Sequence, residues 1–264
     1  MIHADQICVT FNPGTPLQNP ALRGLSLTIP EGQFVTVIGS NGAGKSTLLN
    51  ALSGETMIDS GQVKIDDRDV TRLPTHRRAG DVARVFQDPM AGTCENLSIE
   101  ENLSLAMRRG HRRGLLLANR KEHREQFRDR LATLGLGLEN RLDDRMGLLS
   151  GGQRQAVSLL MATLQPMKIL LLDEHTAALD PKTADFVLRL TRNIIEEQQL
   201  TAMMVTHSMR QALDVGQRTV MLHEGQIAFD IAGAEREGLE VADLLELFAR
   251  NKGEELADDS LLLG

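Results

Sequence analysis

The apolar positions of this chain follow two periods. Ile7-Cys8-Val9-Thr10-Phe11 and Leu25-Ser26-Leu27-Thr28-Ile29 alternate, which predicts half-buried strands on either side of the breaker run Asn12-Pro13-Gly14-Thr15-Pro16. Pro30-Glu31-Gly32 then turns into Phe34-Val35-Thr36-Val37-Ile38, a near-continuous apolar run of the kind that is buried on both faces. Gly61-Gln62-Val63-Lys64-Ile65 and Ala83-Arg84-Val85-Phe86 predict further strands, the second ending at Gln87. From residue 98 to about 147 the period becomes helical, beginning with Ile99-Glu100-Glu101-Asn102-Leu103-Ser104-Leu105-Ala106-Met107. A basic, glycine-punctuated stretch, Arg108-Arg109-Gly110-His111-Arg112-Arg113-Gly114, leads to a charged helix from about Asn119 to Leu134. Residues 151–223 alternate helix, strand, helix, strand, the pattern of a parallel sheet covered on both faces. A short helix from Leu239 and an acidic tail follow.

The predicted fold class is therefore α/β, with a helical block inserted into a sheet-based core and no internal repeat. At 264 residues, 41% apolar and 25% charged, the chain has the length and composition of one large globular domain, or of a core with a smaller subdomain. A formal net charge of −7 argues against bulk nucleic-acid binding, which needs clustered Lys and Arg. Aromatics make up 3%, with no Trp or Tyr, so stacking on bases or sugars is not an evident theme. Cys8 and Cys94 have no metal-ligand or disulfide spacing, which fits a reducing compartment. Met1-Ile2-His3-Ala4-Asp5 lacks a basic region and an apolar core, so no signal peptide is expected. No run of about 18 apolar residues is present to span a bilayer. The expectation is a cytosolic protein, or one docked from the cytosolic side.

The most specific stretch is Gly39-Ser40-Asn41-Gly42-Ala43-Gly44-Lys45-Ser46-Thr47, between a predicted strand and the helix-like Leu48-Leu49-Asn50-Ala51-Leu52. Two glycines five apart, then Lys and Ser, fit a phosphate-binding loop in the strand–loop–helix context it requires. Glycines let backbone N–H groups close around phosphate oxygens, and the helix N-terminus adds its positive dipole end. Lys45 is placed to reach β- and γ-phosphates, and the Ser46 hydroxyl to help hold Mg²⁺.

Lys168-Ile169-Leu170-Leu171-Leu172-Asp173-Glu174 predicts a buried strand ending in two carboxylates. Behind a phosphate loop, Asp173 is positioned to hold Mg²⁺ and Glu174 to accept a proton from a water attacking the γ-phosphate. Leu149-Ser150-Gly151-Gly152-Gln153-Arg154-Gln155 opens a helix with Ser150 as N-cap. Its glycines leave N–H groups either for an anion or for simple capping.

That last string resembles the signature of the ATP-binding cassette (ABC) ATPases, and it lies at the expected place before the carboxylate strand. Four more positions are similar in order. Gln87 matches the Gln loop, Ala178-Leu179-Asp180 the D-loop, His207 after Met203-Met204-Val205-Thr206 the switch histidine, and Phe11 the adenine-stacking aromatic. Phe11 on an alternating strand reads equally as core packing. His175 stands where many relatives carry a small or polar residue and receives no role. The resemblance spans roughly residues 2–230.

The resemblance implies a P-loop NTPase fold: a core with a mostly parallel sheet over 1–87 and 149–235, an antiparallel β subdomain, and an inserted α-helical subdomain at about 88–148. Residues 236–264 form a C-terminal helix and acidic tail within a single cassette of 1–264. It implies catalytic roles for Glu174, His207 and Gln87. ATP contacts fall to Phe11, Gly39, Ser40, Asn41, Gly42, Ala43, Gly44, Lys45, Ser46, Thr47, Ser150, Gly151, Gly152, Gln153 and Asp180. Mg²⁺ ligation falls to Ser46, Gln87 and Asp173. Two copies would pair head to tail, the Ser150 segment of each capping the ATP of the other. The function implied is ATP hydrolysis coupled to solute translocation, with an amino acid or similar small solute taken up. An exporter subunit, or a soluble cassette acting on ribosomes or DNA, is the alternative. The partners implied are a second copy, separate transmembrane permease subunits and a solute-binding protein, without nucleic acid, and the location is peripheral on the cytoplasmic face of the inner membrane. Met90-Ala91-Gly92-Thr93 would meet a membrane partner's coupling helix. The Arg108–Arg113 run reads as a solvated basic face or as a contact for anionic lipid headgroups.

Overall fold

The computed structural model describes residues 1–111 and 121–252. In chain order the first elements are β1 (Ile2–Phe11), β2 (Asn19–Ile29), β3 (Phe34–Gly39), α1 (Lys45–Ser53), β4 (Ser60–Ile65), β5 (Arg68–Asp69), α2 (Thr75–Arg78) and β6 (Val82–Val85). The helical block holds α3 (Ile99–Ala106) and α4 (Lys121–Ala132). Then come α5 (Gly151–Thr163), β7 (Ile169–Asp173), α6 (Pro181–Glu197), β8 (Ala202–Val205), α7 (Met209–Val215), β9 (Arg218–His223), β10 (Gln226–Ala232) and α8 (Val241–Lys252). Two compact units result: Met1–Arg78 with the described residues from Gln199 onward, and the described residues of Ala79–Gln198.

The first unit carries an antiparallel sheet in the order β2-β1-β4-β5 and the strand run β10-β9-β3-β8. Alternation builds the antiparallel sheet. Ile2, Ala4, Ile7 and Val9 of β1 are buried, and Ile2 pairs with Ile29 on one side and Ile65 on the other. Gln6, at φ 47, sits where the β1–β2 register shifts between Ala4 and Ile7, so the alternation survives a bulge. β3 runs parallel to both β8 and β9, and all six of its residues are buried. Parallel strands with cover on both faces demand this continuous apolar run. Behind it, Ile38 and Met221 pack with Met209 and Ala212 of α7, Phe229 and Ile231 of β10, and Leu244 and Phe248 of α8. Arg78, 1% exposed, closes the end of α1. Its Nη1 donates to the Ala51 and Leu52 carbonyls at 2.8 Å each, and its Nε to that of Leu73 at 2.8 Å. Burial pulls its pKa down to about 10, which leaves it charged at neutral pH.

In the second unit β6 and β7 pair in parallel, Val82 opposite Ile169 through Val85 opposite Leu172. Helices α3, α4 and α5 share one core, with Ile99, Leu103, Phe127, Leu131, Ala156, Val157 and Leu160 interleaved. α3 starts at a reciprocal cap. Ser98 accepts from the Glu101 N–H and the Glu101 carboxylate accepts from the Ser98 N–H.

The basic run departs from its expectation at Arg109, which is neither a solvated face nor a lipid contact. Its guanidinium donates to the carbonyls of Ala79 (3.3 Å), Val82 (3.2 Å), Ala162 (3.2 Å) and Gln165 (2.9 Å), and burial lowers its pKa. Arg112, Arg113 and Gly114 lie outside the described residues, as do Asn119 and the acidic tail.

Arg109→Met keeps the stem but leaves these carbonyls without their charged donor, so unfolding stability should fall by about 3 kcal/mol. The urea midpoint of the variant measures this. The exposed control Arg128→Met should stay within about 0.5 kcal/mol of the parent, and equal midpoints for the two variants would refute the structural role.

Candidate active site

The phosphate loop leaves β3 at Gly39, whose φ is 148 and whose position admits no Cβ: one built there would lie 2.3 Å from the Leu222 carbonyl oxygen. The turn closes with Ala43 N–H donating to Ser40 O at 3.1 Å, and α1 begins after Gly44 with no side-chain cap. The first N–H groups of α1 therefore face the loop, an anion site built from backbone alone. Lys45 is 6% exposed, and its Nζ donates to the carbonyl oxygens of Gly39 at 2.7 Å and Ser40 at 3.1 Å. Those bonds hold the ammonium over the loop. Ser40 and Thr47 are half-buried, and Asn41, Gly42 and Ser46 are exposed along the loop.

His207 belongs to the same unit. β8 pairs with β3 through Val205 and Val37, the Thr206 N–H donates to the Val37 carbonyl at 3.1 Å, and His207 follows as an exposed residue. Loop and histidine thus leave neighbouring parallel strands at the same end, where α/β sheets bind ligands. Phe11 ends β1 and is 40% exposed, which removes the core-packing alternative.

The second unit holds the carboxylates. Asp173 is the last residue of β7, and Glu174 takes a left-handed φ of 42, rare outside glycine. Gln87 is exposed in a bend just past β6. Sequence reasoning missed Arg84, whose Nη2 lies 2.5 Å from Asp173 Oδ2 while its guanidinium carbon sits 4.7 Å from the Phe86 ring centroid. The available signal was a charge inside an otherwise apolar strand, which demands a counter-charge. His175 acquires a structural role. It is 2% exposed, and its Nε2 is 2.9 Å from the Thr191 hydroxyl, which itself donates to the Val187 carbonyl at 2.8 Å. That hydroxyl must then accept, so Nε2 carries the ring proton. Burial pushes the His175 pKa down to about 4, and the neutral ring fastens the segment after Glu174 to α6.

Ser150 caps α5 reciprocally with Gln153: its Oγ accepts from the Gln153 N–H at 3.3 Å, and its N–H donates to Gln153 Oε1 at 3.2 Å. Accepting leaves the hydroxyl's own proton to donate, so capping and anion binding are compatible. Gly151 is exposed and Gly152 buried. A Cβ at Gly152 would lie 2.1 Å from Thr183 Cγ2. Asp180 caps α6, its Oδ1 accepting from the Thr183 N–H at 3.1 Å, which lowers its pKa. Gln155 Nε2 donates to the Phe86 carbonyl at 3.1 Å, tying α5 to the strand end before Gln87.

The model of the ABC transporter family matches residues 22–177. The chain belongs to that family. It is 45% identical to the tyrosine transport ATP-binding protein of Clostridioides difficile over 87% of this chain and 91% of that one. It is 35% identical to the thiamine import ATP-binding protein ThiQ of Escherichia coli, over 77% and 83%. Among solved structures, the dimeric post-hydrolysis state of the ATP-binding cassette MJ0796 bound to ADP and Pi is 29% identical, with a TM-score of 0.74 over 88% of this chain and 98% of that one. A nucleotide-free cassette from an ABC transporter, at 22% identity and TM-score 0.77, shares the fold. The family resemblance, the α/β P-loop fold class and an ATPase activity are thereby borne out. Within the second unit Gln87 and Asp173 offer carboxamide and carboxylate oxygens, and in the first Ser46 offers a hydroxyl; each is a hard oxygen donor of the type that Mg²⁺ takes.

Gly152→Ala should cost roughly 1–3 kcal/mol by forcing α5 from α6, and adding Thr183→Ser, which deletes the obstructing methyl, should return most of it. Urea unfolding of the parent, both single variants and the double variant reads the coupling. Strict additivity would show that this contact carries no strain.

Proposed function

We propose that this chain is the ATP-hydrolysing subunit of an importer that takes up an amino acid. On this reading it works as a homodimer on separate permease subunits at the cytoplasmic face of the inner membrane, fed by a solute-binding protein. The observation that carries the reading is the conjunction of the Lys45 loop and His207 at the ends of β3 and β8 with 45% identity to a protein named for tyrosine transport. Import is further supported by the likeness to ThiQ. No helix among the described residues is long and apolar enough to cross a membrane, which fits a permease on separate chains. The net charge of −7 disfavours a nucleic-acid partner.

In this mechanism Lys45 exchanges the Gly39 and Ser40 carbonyls for β- and γ-phosphate oxygens, while the N–H groups from Asn41 to Thr47 surround the same anion. Phe11 packs on adenine with dispersion alone, having no hydroxyl. Ser46, Asp173 and Gln87 would hold Mg²⁺, which when bound supplies charge neutralisation between the phosphates. Glu174 takes the proton of the attacking water, and His207 bonds the γ-phosphate and registers its loss. Ser150, Gly151, Gly152, Gln153 and Asp180 reach the nucleotide from the second copy. ATP then bridges two subunits, and hydrolysis removes the bridge because ADP lacks the γ-phosphate.

Glu174→Gln should lower turnover at least about 100-fold while keeping ATP affinity, and should accumulate an ATP-dependent dimer on size exclusion. Near-parental turnover would remove Glu174 from the base role. Lys45→Ala should weaken ATP binding roughly 10- to 100-fold by equilibrium dialysis, and unchanged affinity would count against the loop. For the solute, the complex co-purified from membranes should hydrolyse ATP faster with an amino acid such as tyrosine than with thiamine. The opposite preference would overturn the amino-acid assignment.

A further inference from the structure

Arg84 occupies a position that the proposed chemistry leaves unexplained. It lies in β6 among Val82, Ala83 and Val85, all buried, and its side chain is 10% exposed. Its Nη2 approaches Asp173 Oδ2 to 2.5 Å, with the carboxylate side chain 15% exposed. A guanidinium at that distance is directed at the lone pairs that a divalent cation would need. The same guanidinium lies over the face of Phe86, the residue before Gln87, so a second seat exists for the cation once the carboxylate is taken.

We propose that Arg84 is the resting counter-ion of Asp173, a positioning residue that the metal must displace, and that it thereby sets how much divalent cation the nucleotide site requires. The inference rests on the assignment of Asp173 as a metal ligand. Without metal, Arg84 keeps a nearly buried carboxylate neutralised and oriented at the end of β7. When Mg²⁺ arrives with ATP, the guanidinium gives up Oδ2 and keeps its contact with Phe86. The exchange links the Asp173 strand to the Gln87 strand end through one side chain. It also raises the divalent-cation concentration at which the site fills above what an unopposed carboxylate would require.

The test uses the full chain in a Glu174→Gln background, so that hydrolysis does not interfere. Mn²⁺ binding in the presence of ATP is titrated by electron paramagnetic resonance, and melting temperature is measured in EDTA and in saturating Mg-ATP. Arg84→Met should bind Mn²⁺ at about tenfold lower concentration. It should also melt several degrees lower in EDTA, roughly 3–6 °C, with the gap closing in Mg-ATP. Arg84→Lys, which keeps the charge but loses the planar fork, should give a smaller shift of the same sign and serves if the Met variant folds poorly. Half-saturation by Mn²⁺ that is unchanged within twofold, or raised, in both variants would overturn the proposal. Asp173→Asn separates the two layers. If it weakens Mn²⁺ binding strongly while the Arg84 variants do nothing, the ligand assignment stands and the counter-ion role falls. If it leaves Mn²⁺ binding unaltered, the assignment falls and takes the proposal with it.

Discussion

Hydrogen bonding along both edges of β3 is the constraint on which the nucleotide-binding half of the molecule depends. With β8 on one side and β9 on the other, and all six residues buried, the strand cannot slip by one position without reversing every side chain. Thr36 adds a polar pin inside the apolar run. Its Oγ1 lies 3.1 Å from Thr219 Oγ1 and within 3.2 Å of the Ala212 carbonyl. The point where the chain leaves the sheet is therefore fixed to within a residue. Loop backbone, Lys45 ammonium and His207 inherit that position.

The second unit is governed by satisfaction of buried polar groups rather than by a strand register. Arg109 joins carbonyls at the start of β6 to those at the end of α5, and His175 joins the turn after β7 to α6. Arg124 draws together Glu100 and Asp143 in the helical block. Of these groups the Arg109 guanidinium, the His175 ring and the Glu100 carboxylate would be costly if left unpaired in the interior, whereas Asp143 is exposed. Their pairing makes the relative placement of α3, α5 and α6 specific where Leu and Val contacts alone would tolerate sliding.

Much of this was legible in the sequence because the features are local. The loop glycines, the apolar run of β3, the Ser150 cap and the alternation of β1 and β2 each depend on residues within one or two turns. What escaped were pairings across many residues. Arg109 looked like one of a run of surface arginines, yet its partners at Ala79 and Gln165 are 30 and 56 residues away. Arg84 meets Asp173 across 89 residues, and nothing in either stretch names the other. The methyl of Thr183 against Gly152 is likewise a product of helix packing, which periodicity alone does not specify. His175 received no role from the sequence because a lone histidine after a carboxylate carries no signal about the hydroxyl that will hold it.

The left-handed backbone at Glu174 carries an evolutionary consequence. A glycine or asparagine would adopt φ 42 with less penalty, on the order of 1 kcal/mol, so the residue present is a poor choice for folding alone. Selection for stability and selection for a carboxylate pull this position in opposite directions. On the proposed base role of Glu174, a lineage released from the need for the carboxylate would be expected to drift toward the residues its backbone prefers, exchanging turnover for a sturdier fold.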